Sequence, residues 1–285
     1  MSKDIKKAFL KKIFKEQKMA HLKINYFSNA LLKDCQMDVL LPQKTADSPN
    51  WNQDLLTDLP VLYLLHGMSD DNTSWLRNTR LERLIKNTPL AVVLPNADLS
   101  WYANTTYDMN YYDEIAIKLP QVVHDLFPQI STKRDKNFIM GSSMGGYGAY
   151  KIALSTNNFG YAAALSGAFD PSGSNKILTS FRSNDYWNGV INKRDDFKVS
   201  PENLLHLAEQ KLSLHEPVPN LYAWCGQQDF LYQDNLNLIS NLEQLGINID
   251  AEFTNGKHDW YSWDKFLENI LEWLPIEYMP EERLC

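Results

Sequence analysis

Residues 137–150 read Asn137-Phe138-Ile139-Met140-Gly141-Ser142-Ser143-Met144-Gly145-Gly146-Tyr147-Gly148-Ala149-Tyr150. Apolar residues come first and a helix-compatible run follows, so the segment predicts a strand that ends abruptly in a helix. Gly141-Ser142-Ser143-Met144-Gly145 fits Gly-x-Ser-x-Gly, which puts Ser143 on the sharp turn between the two. A side chain on either flanking glycine would collide with the neighbouring strand or helix. A serine so placed projects its Oγ into open space, beside a helix N-terminus whose N–H groups favour negative charge. Ser142 has Met140 and Met144 at the positions where Ser143 has glycine. Ser143 is therefore the candidate nucleophile.

Strand and helix alternate outward from this segment. Residues 21–28 and 35–41 read as an antiparallel pair. Runs at 60–66, 90–95, 137–140, 161–165, 220–225 and 247–253 read as further strands, the first two continuously apolar as buried parallel strands are. Helices are expected at 73–86, 112–127, 145–154, 201–211, 231–245 and 261–274. This alternation implies an α/β fold with a mostly parallel central sheet and helices on both faces. Residues 44–58 and 169–198 are irregular, and the second stretch reads as a lid or pocket insertion. Residues 1–18 carry seven lysines against Asp4 and Glu16 and read as a solvated extension to a single domain at 19–285.

The chain has 285 residues, 44% of them hydrophobic, enough for a substantial core. A net charge of −7 argues against nucleic acid as a partner, because phosphate binding needs a basic surface. Cys35, Cys225 and Cys285 are widely spaced and odd in number. They speak against a disulfide framework or a metal site and fit a cytoplasmic protein. No apolar run approaches the roughly 20 residues of a membrane span. A homo-oligomer is compatible with the composition.

A serine hydroxyl needs a base within hydrogen-bond reach. His124 and His206 fall in helical patterns, His21 opens a strand, and His215 lies in a Pro-containing connection. His258 follows the last expected strand, on the side where ligands bind in open α/β sheets. The orienting acid should lie between serine and histidine, in the order Ser…Asp…His. Asp229 sits in a short loop after a strand, and Asp234, already on the next helix, is the alternative. An oxyanion hole would use the backbone N–H of Met144 and one from the loop after His66-Gly67, that of Met68. His66 itself suits a structural role at the strand end. Trp101 and Tyr102, from an aromatic segment that also holds Tyr107, Tyr111 and Tyr112, and Trp260 beside His258 are the candidate substrate-binding aromatics.

Five stretches together resemble the esterase D-like branch of the α/β-hydrolases, in particular the tributyrin esterase and acetylesterase group. They are Tyr63-Leu64-Leu65-His66-Gly67-Met68, Ser100-Trp101-Tyr102, Gly141 through Ala149, Cys225-Gly226 with Asp229-Phe230-Leu231, and His258-Asp259-Trp260 with Trp263-Asp264. The resemblance spans about Met19 to Leu274. It implies an α/β-hydrolase fold and hydrolysis of short-chain carboxylic esters, a small-molecule substrate, through an acyl-enzyme. Neither metal nor organic cofactor is called for. A thioesterase of the S-formylglutathione hydrolase type and an acyltransferase use the same machinery, while a non-catalytic binding protein should lack one of the three groups. The loop after Gly67 is Met-Ser-Asp-Asp where the branch is glycine-rich.

Overall fold

The computed structural model describes residues 18–43, 57–191 and 194–280. Residues 1–17 of the extension expected at 1–18, most of the irregular stretch at 44–58, residues 192–193 of the stretch at 169–198 and Cys285 lie outside the described residues. Lys18, by contrast, already opens the first strand.

The sheet contains β1 (Lys18–Ser28), β2 (Lys33–Gln43), β3 (Val61–Leu65), β4 (Ala91–Pro95), β5 (Asn137–Ser142), β6 (Tyr161–Leu165), β7 (Asn220–Gly226) and β8 (Ile249–Thr254), in the order β1-β2-β4-β3-β5-β6-β7-β8. β1 and β2 form an antiparallel hairpin, and β2 runs antiparallel to β4. From β4 to β8 every pairing is parallel. The expected hairpin and parallel series are both present.

Successive strand residues point to opposite faces, and here both faces are apolar. Val61, Tyr63 and Leu65 of β3 join one core with Ile139 of β5; Leu62 and Leu64 join the other with Phe138 and Met140. Helices cover both sides. The first core includes residues of α3 (Leu119–Leu126), α4 (Met144–Ser155), α7 (Leu204–Ser213) and α8 (Tyr232–Gln244). The second includes residues of α1 (Ser74–Asn78), α2 (Leu81–Ile85) and α9 (Trp260–Trp273). Two short helices, α5 (Lys176–Ser180) and α6 (Asn184–Val190), form within the stretch expected to be irregular.

Two helices differ from expectation, each with a partner distant along the chain at the point of difference. The single helix expected at 73–86 is broken into α1 and α2, because Thr79 turns extended and its hydroxyl accepts the N–H of Leu81 at 3.2 Å. Asp264 then accepts both the backbone N–H and the Nε of Arg80, each at 2.7 Å. The helical stretch from Tyr111 contains a π turn over Glu114–Lys118 before α3. Pro120 has no N–H to give the carbonyl of Ala116, and Asn158 Nδ2 donates to that carbonyl at 3.3 Å instead.

Candidate active site

β5 ends at Ser142 and α4 starts at Met144, leaving Ser143 alone on the turn with φ 54° and ψ −119°. This is a left-handed backbone conformation that a non-glycine residue adopts only when its surroundings impose it, at a cost of about 1–3 kcal/mol. Three backbone bonds impose it. Ser143 N–H donates to Leu165 O, and Ser143 O accepts from Tyr147 and Ala168, all at 3.0–3.1 Å. A Cβ on Gly145 would lie 2.5 Å from Leu65 O, and one on Gly141 would run into the backbone of Gly145. Both glycines are thus required by close approach. Ser142 remains in the strand with its Oγ buried and without a partner.

Asp229 is held in the turn after β7. Its N–H donates to Gly226 O at 3.0 Å and its Oδ1 accepts from Leu231 N–H at 2.9 Å. Its carboxylate is buried and faces His258: Nδ1 lies 3.1 Å from Oδ1 and 2.9 Å from Oδ2. The His258 ring packs against Phe230 at 4.7 Å and edge-on to Trp263 at 5.0 Å between centroids. Trp263 is fixed in turn, its Nε1–H donating to Ser166 Oγ at 3.2 Å. Asp234 lies on α8 with its carboxylate accepting from Asn175 Nδ2 at 2.6 Å. Asp259 caps α9, accepting Ser262 N–H at 2.8 Å.

Ser143 and His258 line one cavity of about 270 Å³, together with Met68, Ser69, Trp101, Leu178, Phe181, Arg182 and Phe230. Met68 lines the same cavity as Ser143, and Met144 follows Ser143 in the chain. Met144 opens α4, so its N–H has no intrahelical acceptor. The loop of Met68 is fixed by bonds to the end of β3. Trp75 Nε1–H donates to Leu65 O at 2.9 Å, Tyr102 O–H to His66 O at 2.8 Å, and Asp70 N–H to Gly67 O at 3.3 Å.

His66 takes the structural role expected of it. Its Nε2 accepts Ala97 N–H at 2.9 Å, which makes Nδ1 the protonated nitrogen, donating to Gly67 O at 2.8 Å. Burial lowers its pKa below the ordinary value, so the ring stays neutral. As pH falls below about 6.5, the unfolded chain takes up a proton here that the folded chain refuses. Stability is therefore expected to drop on acidification through this window. Urea midpoints measured from neutral to mildly acid pH should show a shallower drop in His66→Gln; equal slopes would contradict this.

The substrate-binding aromatics are corrected in part. Trp101 lines the cavity. Tyr102 does not: it is fully buried, its hydroxyl occupied by His66 O. Trp260 also lies away from the cavity, edge-on to Trp75 and Trp263 in the second core. Trp101 and Tyr102 are both left-handed, with φ 55° and 52°. A buried ion pair behind α4 holds this turn. Lys151 Nζ pairs with Glu202 and donates to Tyr102 O at 2.9 Å, while Tyr147 O–H donates to Glu202 at 2.8 Å. Removing one partner of such a pair costs about 3–5 kcal/mol. Sequence reasoning did not identify Leu178, Phe181, Arg182 or Phe230 as cavity residues; the only signals were the irregular stretch and the position of Phe230 beside Asp229.

Comparison with known proteins shows the family of the chain. The model of the Esterase family matches residues 28–274. An acetyl esterase of Caldicellulosiruptor saccharolyticus is 32% identical over 270 residues, 90% of this chain and 98% of that protein. Two solved structures from Staphylococcus aureus are also similar, each over 90% of this chain. The fluorophosphonate-binding serine hydrolase FphF, substrate bound, is 34% identical with a TM-score of 0.80 over 98% of its chain. The S-formylglutathione hydrolase FrmB is 35% identical with a TM-score of 0.79 over 99% of its chain. The chain belongs to the Esterase family, in the esterase branch of the α/β-hydrolase superfamily.

Proposed function

We propose that this serine esterase hydrolyses short-chain carboxylic esters through an acyl-enzyme, with Ser143, His258 and Asp229 as its catalytic triad. One observation carries the reading: an imidazole held by a buried carboxylate shares a cavity with a serine on a left-handed strand–helix turn. Ser143 Oγ attacks the ester carbonyl carbon while His258 Nε2 takes its proton. Asp229 accepts Nδ1–H and stabilises the imidazolium. The N–H groups of Met144 and Met68 receive the oxyanion; losing one such donor typically costs about 3–4 kcal/mol of transition-state stabilisation. The alcohol leaves with the proton from His258. Water then attacks the acyl-enzyme, giving its proton to His258, and Ser143 regains its hydrogen as the acid departs. No step calls for a metal or organic cofactor.

The short-chain preference rests on the cavity. About 270 Å³, walled by Trp101, Leu178 and Phe230, suits a small acyl group and leaves little room for a lipid tail. The segment of α5 and the two residues after it acts as its cover, through Leu178, Phe181 and Arg182. Hydrolysis of 4-nitrophenyl esters should be fastest for acetate to butyrate and fall by about tenfold or more at octanoate. A kcat/KM that keeps rising to octanoate would contradict this. Acyl thioesters belong in the same series, because a similar structure, FrmB, is described as an S-formylglutathione hydrolase.

A further inference from the structure

We propose that Arg182 makes this site selective for esters and thioesters that carry a carboxylate on the alcohol or thiol portion, the part that departs first. The inference rests on the esterase reading and assigns it a substrate class. The cavity wall is mostly apolar, and among the described residues lining it Arg182 supplies the one permanent charge. That charge opposes the net charge of the chain, −7.

Arg182 is held but not neutralised. It follows α5 directly after Phe181, and its Nη1–H donates to Phe181 O at 2.8 Å. The guanidinium lies 5.9 Å from the centre of the Tyr186 ring. Tyr186 is itself anchored, its O–H donating to Leu99 O at 2.8 Å while Trp101 Nε1–H donates to its oxygen at 3.1 Å. The side chain is therefore tied to the same scaffold as the Trp101 wall. No acidic side chain among the described residues pairs with it. A guanidinium in this state offers forked N–H donors that match a carboxylate in two parallel bonds.

Position decides which part of the substrate it meets. Trp101 and Leu178 are buried, whereas Phe181 and Arg182 are exposed. The enclosed part accommodates a short acyl group, so the departing portion extends toward the mouth where Arg182 stands. α5 is kept there by Asn175, which caps its N-terminus and bonds to Asp234 of α8.

The test uses two acetate esters of nearly equal shape, that of 4-hydroxybenzoate and that of 4-hydroxybenzamide, whose para groups differ in charge. The quantity read is the ratio of kcat/KM for the anionic over the neutral ester, so the neutral ester corrects for any change in the cavity itself. Because Arg182 is solvent-exposed, the ratio should fall by about fivefold in Arg182→Gln. It should fall further in Arg182→Glu and be largely kept in Arg182→Lys. Added salt should lower the ratio of the unsubstituted protein and leave that of Arg182→Gln flat. Hydrolysis of the neutral ester with the same ratio in all four proteins would overturn the role of Arg182 alone. Failure of the unsubstituted protein to hydrolyse either ester would overturn the esterase reading, and this one with it.

Discussion

Replacing Ser143 by alanine is expected to lower ester turnover by about 10⁶-fold, by analogy with triad knockouts in other serine hydrolases, while leaving the fold in place. The turn around it is built from backbone bonds to Leu165, Tyr147 and Ala168 and from the close approach of Gly145 to Leu65, none of which needs the hydroxyl. Circular dichroism and the unfolding midpoint should therefore be close to those of the unsubstituted protein. Ser142→Ala is the control. The Ser142 Oγ is buried without a partner, so removing it takes away an unsatisfied polar group. That variant should keep its activity and be no less stable. Loss of turnover in Ser142→Ala with retention in Ser143→Ala would reverse the assignment.

Asp229→Asn should cost about 10⁴ in turnover if the serine-protease precedent transfers. Both carboxylate oxygens face His258 Nδ1, at 3.1 and 2.9 Å. A carboxamide there can turn its NH₂ toward Nδ1, which places the imidazole proton on Nε2, where a lone pair is needed. The neutral amide would also lack the charge that stabilises the imidazolium. Asp234→Asn should change turnover far less, since the Asp234 carboxylate bonds to Asn175 at 2.6 Å and serves the anchoring of α5. Steady-state kinetics on both variants decide the point. A larger loss in Asp234→Asn would mean that the acid lies one turn further along the chain.

The alternation of strands and helices was readable because the parallel strands are continuous apolar runs. β3, with five buried residues in succession, has no other simple interpretation. The positions of Ser143, Asp229 and His258 were readable too, since each follows a strand at the same edge of the sheet. What escaped the sequence depends on partners distant along the chain. The break between α1 and α2 needs Asp264, and no property local to residues 73–86 announces it. Tyr102 looked like a cavity residue because it follows Trp101. Two successive left-handed residues, held by Lys151 and Ser100, turn the two rings to different sides. The cover of the cavity carries no periodic pattern, so Leu178, Phe181 and Arg182 became legible only with α5 in place.

The central claim is that Ser143 is a base-activated nucleophile beside an oxyanion site. A fluorophosphonate probe tests it most directly, because phosphonylation needs both features and leaves a covalent mark. Intact mass should rise by one adduct, and peptide mapping should place it on Ser143. The adduct should persist in Ser142→Ala and be absent from Ser143→Ala. An unlabelled wild-type chain, or an adduct that survives in Ser143→Ala, would contradict the account.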